Sequence, residues 1–217
     1  MATLAVTEAV KSISQAESMF GLSRTFNPRF FTEWQEQLPA LTASEEATCD
    51  RIKASYLYNS AEGPLLESTV NLLLISPLLY LSGFCDPPFK IRGEVPTTIS
   101  ASEGTTTLRG RIDALVLQEQ IWLALVESEQ AKFSFPMAIP QTLAYLTSAP
   151  QRDQPLFGMV TNGDGFMFVK LDPQQSVYAF SDDFSLFKQS ENQLYSVLKI
   201  LKNLPLSSNI LNNEVAN

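Results

Sequence analysis

Arg109-Gly110-Arg111-Ile112-Asp113-Ala114-Leu115-Val116, followed after a polar break at Gln118 to Gln120 by Trp122-Leu123-Ala124-Leu125-Val126-Glu127-Ser128-Glu129, is the stretch around which the rest of the chain organises. β-Branched alternation predicts strands over Thr105 to Leu117 and Ile121 to Glu127. A third strand over Phe89 to Ser100, with a turn at Glu103-Gly104, completes a meander. Side chains alternate along a strand, so Glu127 and Glu129 point to one face about 7 Å apart. Pairing through the short turn near Glu119 sets Asp113 beside them. Three carboxylates converging at the end of apolar strands repel one another, and a bound divalent cation usually relieves such repulsion. Oxygen-only ligands suit Mg or Mn.

Downstream, Pro136 to Ser148 reads as a helix ended by Pro150. Leu156 to Thr161, a turn at Asn162-Gly163-Asp164-Gly165, Phe166 to Leu171 and Ser176 to Phe180 read as strands joined by a strong hairpin signal. Glu191 to Leu201 places Leu194, Val197, Leu198 and Leu201 on one helical face, and residues after Pro205 read as a frayed tail. Upstream, Gly63-Pro64 punctuates the chain, with Pro64 suited to the first turn of a helix carrying Leu65, Leu66, Thr69, Val70, Leu73 and Leu74. Residues 1–62 read as a helical lead-in. Thr42 and Glu45 have capping-box spacing for a helix reaching Tyr58, and Phe30, Phe31, Trp34 and Leu38 have the spacing of an apolar helical face stopped by Pro39. That face would otherwise expose a large apolar patch, so the segment is expected to dock. The predicted organisation is a helical segment over 1–62, an α/β domain over 63–204 and a flexible tail over 205–217.

Composition narrows the chemistry. The 217 residues are 45% hydrophobic and 18% charged with mean hydropathy +0.01, a globular balance. No histidine occurs, which excludes Ser-His-Asp and Cys-His catalysis, His-ligated zinc and imidazole switching. Fifteen Lys+Arg against 23 Asp+Glu give a net charge of −8, so binding to nucleic acid by bulk charge is disfavoured and any such contact must be local. Cys49 and Cys85 are too few for a disulfide framework and read as small buried hydrophobes. No basic-then-apolar leader opens the sequence, and a reducing cytoplasm is expected. Leu65 to Phe84 approaches membrane length, but Glu67, Asn71 and Pro77 interrupt it, so a buried amphipathic helix and no membrane partner are expected.

These residues resemble the PD-(D/E)xK nuclease superfamily, and more narrowly the N-terminal nuclease-like domain of type I restriction enzyme R subunits, over roughly Gly63 to Leu171. Glu67 in Leu65-Leu66-Glu67-Ser68 matches the helical Glu that precedes the sheet. Asp113 matches the motif Asp, and Glu127, fourteen positions later, the acid of the D/E-x-K element. Gln141-Thr142-Leu143-Ala144-Tyr145 matches the Gln-x-x-x-Tyr motif of the RecB-like branch, and Val160-Thr161-Asn162-Gly163 the strand and turn that follow. The Lys two residues after the acid is Glu129 here. Some restriction enzymes of the superfamily carry Glu at that place as a general base; the same replacement also marks a degenerate centre. Lys132 would need a bulge to swing back toward it.

The resemblance implies an α/β, restriction-endonuclease-like fold, a mixed central sheet flanked by helices with an N-terminal helical extension. It implies Asp113 and Glu127 as ligands of Mg or Mn, Glu129 as the group acting on water, and Glu67, Gln141 and Tyr145 as supporting catalytic residues. Arg109 and Arg111 share a strand face and either meet phosphates, with Lys132, or pair with Glu127 and Glu129. There is no GxxxxGK[ST] phosphate loop, so a stand-alone module of restriction-modification type is expected rather than a complete restriction subunit. Its implied function is metal-dependent hydrolysis of DNA phosphodiesters. The alternatives are a catalytically degenerate module of the same fold that binds nucleic acid or a partner protein, or an oligomeric scaffold whose aromatic N-terminal helices form a homodimer interface.

Overall fold

The computed structural model describes residues 2–100, 106–118, 121–127, 138–150 and 152–215. Eight strands form one mixed sheet: β1 (Ala2–Ala5), β2 (Ser23–Arg24), β3 (Lys90–Ser100), β4 (Thr106–Gln118), β5 (Ile121–Glu127), β6 (Leu156–Thr161), β7 (Gly165–Asp172) and β8 (Val177–Ser185). Their order is β1-β4-β5-β6-β7-β8-β2, with β3 on the other edge of β4. The β1/β4, β5/β6 and β2/β8 pairs are parallel and the others antiparallel. The expected meander and hairpin are both present, and the last strand runs five residues past Phe180 to Ser185.

Period-two alternation sends each strand's side chains to two separate cores. Phe157, Met159, Phe166, Phe168 and Phe184 face a layer built from α3 (Ala43–Asn59), the α4–α5 region (Glu67–Val70 and Ser76–Leu81) and α7 (Leu194–Val215). Leu108, Ile112, Leu156, Val160, Val169 and Leu171 face α1 (Val6–Ala9), α2 (Ile13–Phe20) and α6 (Ile139–Thr147). The sheet is therefore a middle layer between two layers of helix. A π-helical turn at Asn71–Ile75 joins α4 to α5 and accommodates Pro77, which has no N–H to give the preceding turn. Among the described residues no helix is long and apolar enough to cross a membrane.

The N-terminal segment departs from expectation in two ways. Residues 1–62 are not purely helical, since β1 and β2 lie in the sheet. The Phe30 to Leu38 stretch is a series of turns rather than a helix, with Phe30 N–H bonded to Asn27 and both Gln35 and Glu36 N–H bonded to Thr32. Gln37 at φ 53° ends any helical run. The aromatics still dock: Phe31 is buried, and Phe30, Trp34 and Leu38 pack against the same core. Contact with this core takes up much of their apolar surface within the subunit. The Thr42–Glu45 capping box forms as expected, and Glu45 also pairs with Lys202 of α7. The chain also stays helical beyond Pro205, which removes one backbone bond without ending α7.

The two cysteines differ from one another. Cys49 is buried, and burial pushes its thiol up to about 11, whereas Cys85 is exposed and not the buried hydrophobe expected. A thiol reagent at neutral pH is therefore expected to label one cysteine rapidly in the native protein and both after denaturation; two rapid native equivalents would contradict this burial.

Lys170 on β7 clamps the turn segment to the sheet. The residue is 9% exposed, and its ammonium pairs with Glu33, donates to the Phe30 carbonyl at 2.9 Å and lies 5.3 Å from the Phe30 ring centroid. Lys170→Met strands the Glu33 carboxylate in a buried site and is expected to cost about 3–5 kcal/mol in urea unfolding. The double change with Glu33→Leu should recover most of it, and equal losses in the single and double variants would show that the charge is not the cause.

Candidate functional site

The site grows from an edge of β4 that no single neighbour covers. One edge of this thirteen-residue strand pairs with β3 from Leu117 back to Thr107. The other is divided: β1 pairs with Thr106 to Arg109 and β5 with Ala114 to Gln118. Gly110 to Asp113 occupy the gap. A buried N–H in such a gap needs a partner, and Tyr145 of α6 supplies it, its hydroxyl accepting from the Arg111 N–H at 3.3 Å. Gly110 makes the approach practicable. A Cβ there would lie 2.6 Å from the Tyr145 ring and 2.9 Å from Val6.

Asp113 sits at the end of this gap, half-buried. Glu127 is the last residue of β5, and its backbone lies beside Thr161 of β6. The β4–β5 ladder ends at Ala114 opposite Leu125. Continued without a break, it would set Asp113 across from Val126 and Glu127 across from Ile112, on alternate faces of the sheet. Convergence of the two carboxylates therefore depends on the strands parting here. Glu129 and Lys132 lie outside the described residues.

The remaining expected residues approach from both layers. Gln141, half-buried, is one helical turn before Tyr145 on α6. Glu67 opens α4 in the opposite layer, half-buried, and no side-chain hydrogen bond or ion pair joins it to another described residue. Arg109 and Arg111 are exposed and share a face of β4, as their spacing requires. Arg111 pairs at 3.6 Å with Glu94 of β3, an exposed contact of small energetic weight. Glu94 was not singled out by sequence reasoning, although its place is distinctive: it lies at φ 52° between the Gly93/Ala114 and Val95/Ile112 pairs, alongside Asp113. Among the described residues no group of three or more acidic or thiol side chains is gathered as a metal site.

Beside Glu127, the turn after β6 is closely determined. Asn162 accepts from the N–H groups of Asp164 and Gly165, and Thr161 Oγ1 donates to the Gly165 carbonyl at 2.8 Å. Gly163 at φ 86° packs so near Tyr56 of α3 that a Cβ would fall 2.4 Å from its hydroxyl. That hydroxyl donates to Asp164 at 2.9 Å, and burial together with the Asp164 charge raises its pKa. The phenol therefore serves as a fixed donor. Gly110, Val6, Tyr56 and Asp164 were missed as contributors to this end of the sheet; only the Asn162-Gly163-Asp164-Gly165 turn gave a sequence signal.

The Tyr145 seat predicts a coupled pair of stability effects. Tyr145→Phe leaves the Arg111 N–H without its acceptor and is expected to cost about 1–3 kcal/mol. Gly110→Ala should cost a similar amount through overlap with Tyr145 and Val6. Because losing the hydroxyl relieves part of that overlap, the double variant should be more stable than the summed losses imply when measured by urea unfolding; strict additivity would show that the two residues do not meet.

No family model and no curated protein matches the sequence.

Proposed function

We propose that the chain is a nuclease-like domain of restriction-endonuclease type that hydrolyses DNA phosphodiesters with Mg or Mn. The observation that carries this reading is the Tyr145 hydroxyl on the Arg111 N–H, because it joins the Gln141/Tyr145 helix to the Asp113 strand where β4 loses its neighbours. A mixed sheet between two helical layers supports the reading by architecture alone.

Asp113 and Glu127 are the residues that would hold the cation. Their oxygen-only donors suit a hard divalent ion and no soft one. Such an ion supplies Lewis acidity at phosphate and a more acidic bound water. In this reading Glu129 orients or deprotonates the attacking water, and Glu67 adds a carboxylate from the opposite layer. Tyr145 and Gln141 hold the Asp113 strand and the substrate in place. The binding-module alternative draws on one specific feature: Glu129 puts negative charge where a lysine would stabilise the developing phosphorane, and Glu94 adds another acid alongside Asp113.

Cleavage of supercoiled and single-stranded DNA in Mg or Mn separates the two. If Glu129 acts on water, the wild type cuts, Asp113→Ala and Glu127→Ala lose activity by orders of magnitude, and Glu129→Lys brings no gain. If the centre is degenerate, the wild type is inert and Glu129→Lys gains cleavage by restoring positive charge at the phosphate. A wild type inert in both metals sinks the hydrolytic reading.

A further inference from the structure

Between Glu62 and Asp86 the sequence carries a single charge, Glu67. This stretch forms α4, the π-helical turn and α5, which cover the aromatic core with Val70, Leu74, Ile75, Leu78 and Leu79 buried. A helix at the surface of a subunit normally turns charged residues outward, and one that is apolar all round is normally covered. Here the outward face is neither charged nor covered. Leu72 is 69% exposed and Tyr80 70%, with Ser76 exposed between them and Leu73 and Pro77 half-buried beside them. Leu66, immediately before α4, is 76% exposed.

Leu72, Ser76 and Tyr80 recur every fourth residue and so lie on one side, away from the buried Val70, Leu74 and Leu78. At about 1.5 Å per residue the stripe from Leu66 to Tyr80 is roughly 21 Å long. Leu66, Leu72 and Tyr80 expose on the order of 400 Å² of side chain, the size at which an open apolar patch marks an interaction site. Charge decides what covers it. Each copy of the chain carries −8, so two copies repel over most of their surfaces. A face without an ionised group lets them meet with no like charges opposed, and twofold symmetry asks for such a face because it pairs a surface with itself. A charged partner protein would find no countercharge on it. In an antiparallel crossing centred near Leu72 and Leu73, Tyr80 of each copy lies toward Leu66 of the other and the two Glu67 carboxylates stay at opposite ends; a parallel crossing would bring those carboxylates together.

We infer that the outer face of α4 and α5 is a self-association surface, on which a second copy of the chain packs through Leu66, Leu72, Leu73, Pro77 and Tyr80. The exposed area is about half of the roughly 800 Å² that one partner gives to a standard interface, so the dimer is a dissociable one with a Kd in the micromolar range. This surface is separate from the Phe30 to Leu38 segment, whose rings pack on the subunit's own core. Self-association here is independent of the nuclease reading and holds with or without hydrolysis.

Sedimentation velocity of the full chain from about 1 to 300 µM tests the surface, with the average sedimentation coefficient expected to rise from monomer to dimer across that range. Leu72→Glu sets two carboxylates against each other near the twofold axis and should raise the Kd more than about 100-fold. Tyr80→Ser brings no charge and should raise it about tenfold. Both sites are exposed, so urea unfolding of the dilute monomer should be unchanged. Phe26→Glu, at a residue 79% exposed beside the edge strand β2, should leave the dimer intact. Salt screens the repulsion between two acidic copies, so the wild-type Kd should fall between about 50 and 500 mM KCl. A wild type monomeric at the highest concentration, a dimer that survives Leu72→Glu, an equal loss in Phe26→Glu or a Kd that rises with salt would each overturn the inference. If Leu72→Glu does not fold, Tyr80→Ser decides it. A monomeric wild type that binds neutral phosphatidylcholine vesicles, and loses that binding in Leu72→Glu, would assign the face to a lipid surface instead.

Discussion

A backbone N–H placed inside a protein must find an acceptor, and that constraint shapes this molecule at the divided edge of β4. The strand is longer than either β1 or β5, so the two share one edge and leave Gly110 to Asp113 between them. Pro96 lies directly across from Arg111 on the other side and has no N–H to give the facing carbonyl. The Arg111 N–H, on the edge between β1 and β5, donates to Tyr145, which draws α6 onto the strand, requires glycine at 110 and brings Val6 of α1 against the same point. One hydrogen bond thus sets where a helix rests, where two strands part and where Asp113 is presented.

The two cores give that edge its surroundings. Large aromatics fill one face of the sheet, with Phe168 against Phe184 and Phe31 against Phe157 at ring separations near 6 Å. Mostly aliphatic side chains fill the other, beneath α6. The Lys170–Glu33 pair is a charged exception beside the aromatic core. Lys170 also contacts the Phe30 carbonyl, and Asn203 of α7 donates to the Glu33 carbonyl, so a turn segment with little regular backbone bonding is held from two sides. Desolvating such a pair is expensive, and its contribution here is to position the segment more than to add stability.

Polar groups at the end of the sheet are committed to one another. The N–H groups of the turn after β6 are occupied by Asn162 and Thr161, and Tyr56 commits its proton to Asp164. These groups fix geometry at the end of the sheet that carries Glu127.

Local chemistry determined much of this from sequence. Period-two alternation marked β3 to β8, the Asn162-Gly163-Asp164-Gly165 turn marked its hairpin, Thr42 and Glu45 marked the start of α3, and Leu194, Val197, Leu198 and Leu201 marked the buried face of α7, because each signal lies within a few residues of what it specifies. The apolar spacing of Phe30 to Leu38 misled for the complementary reason: burial of those rings rewards contact with the core in any backbone conformation, and turns met that demand as well as a helix would. Other features depend on residues far apart in sequence. β1 and β2 became strands only because β4 and β8 had free edges to offer. Glu94 came to lie alongside Asp113, and Gly110 met Tyr145 and Val6, through strand register and helix docking alone. A sequence states which groups a chain owns, whereas only the folded ladder decides which of them share a face, because a shift of one residue would send every one of them to the other side.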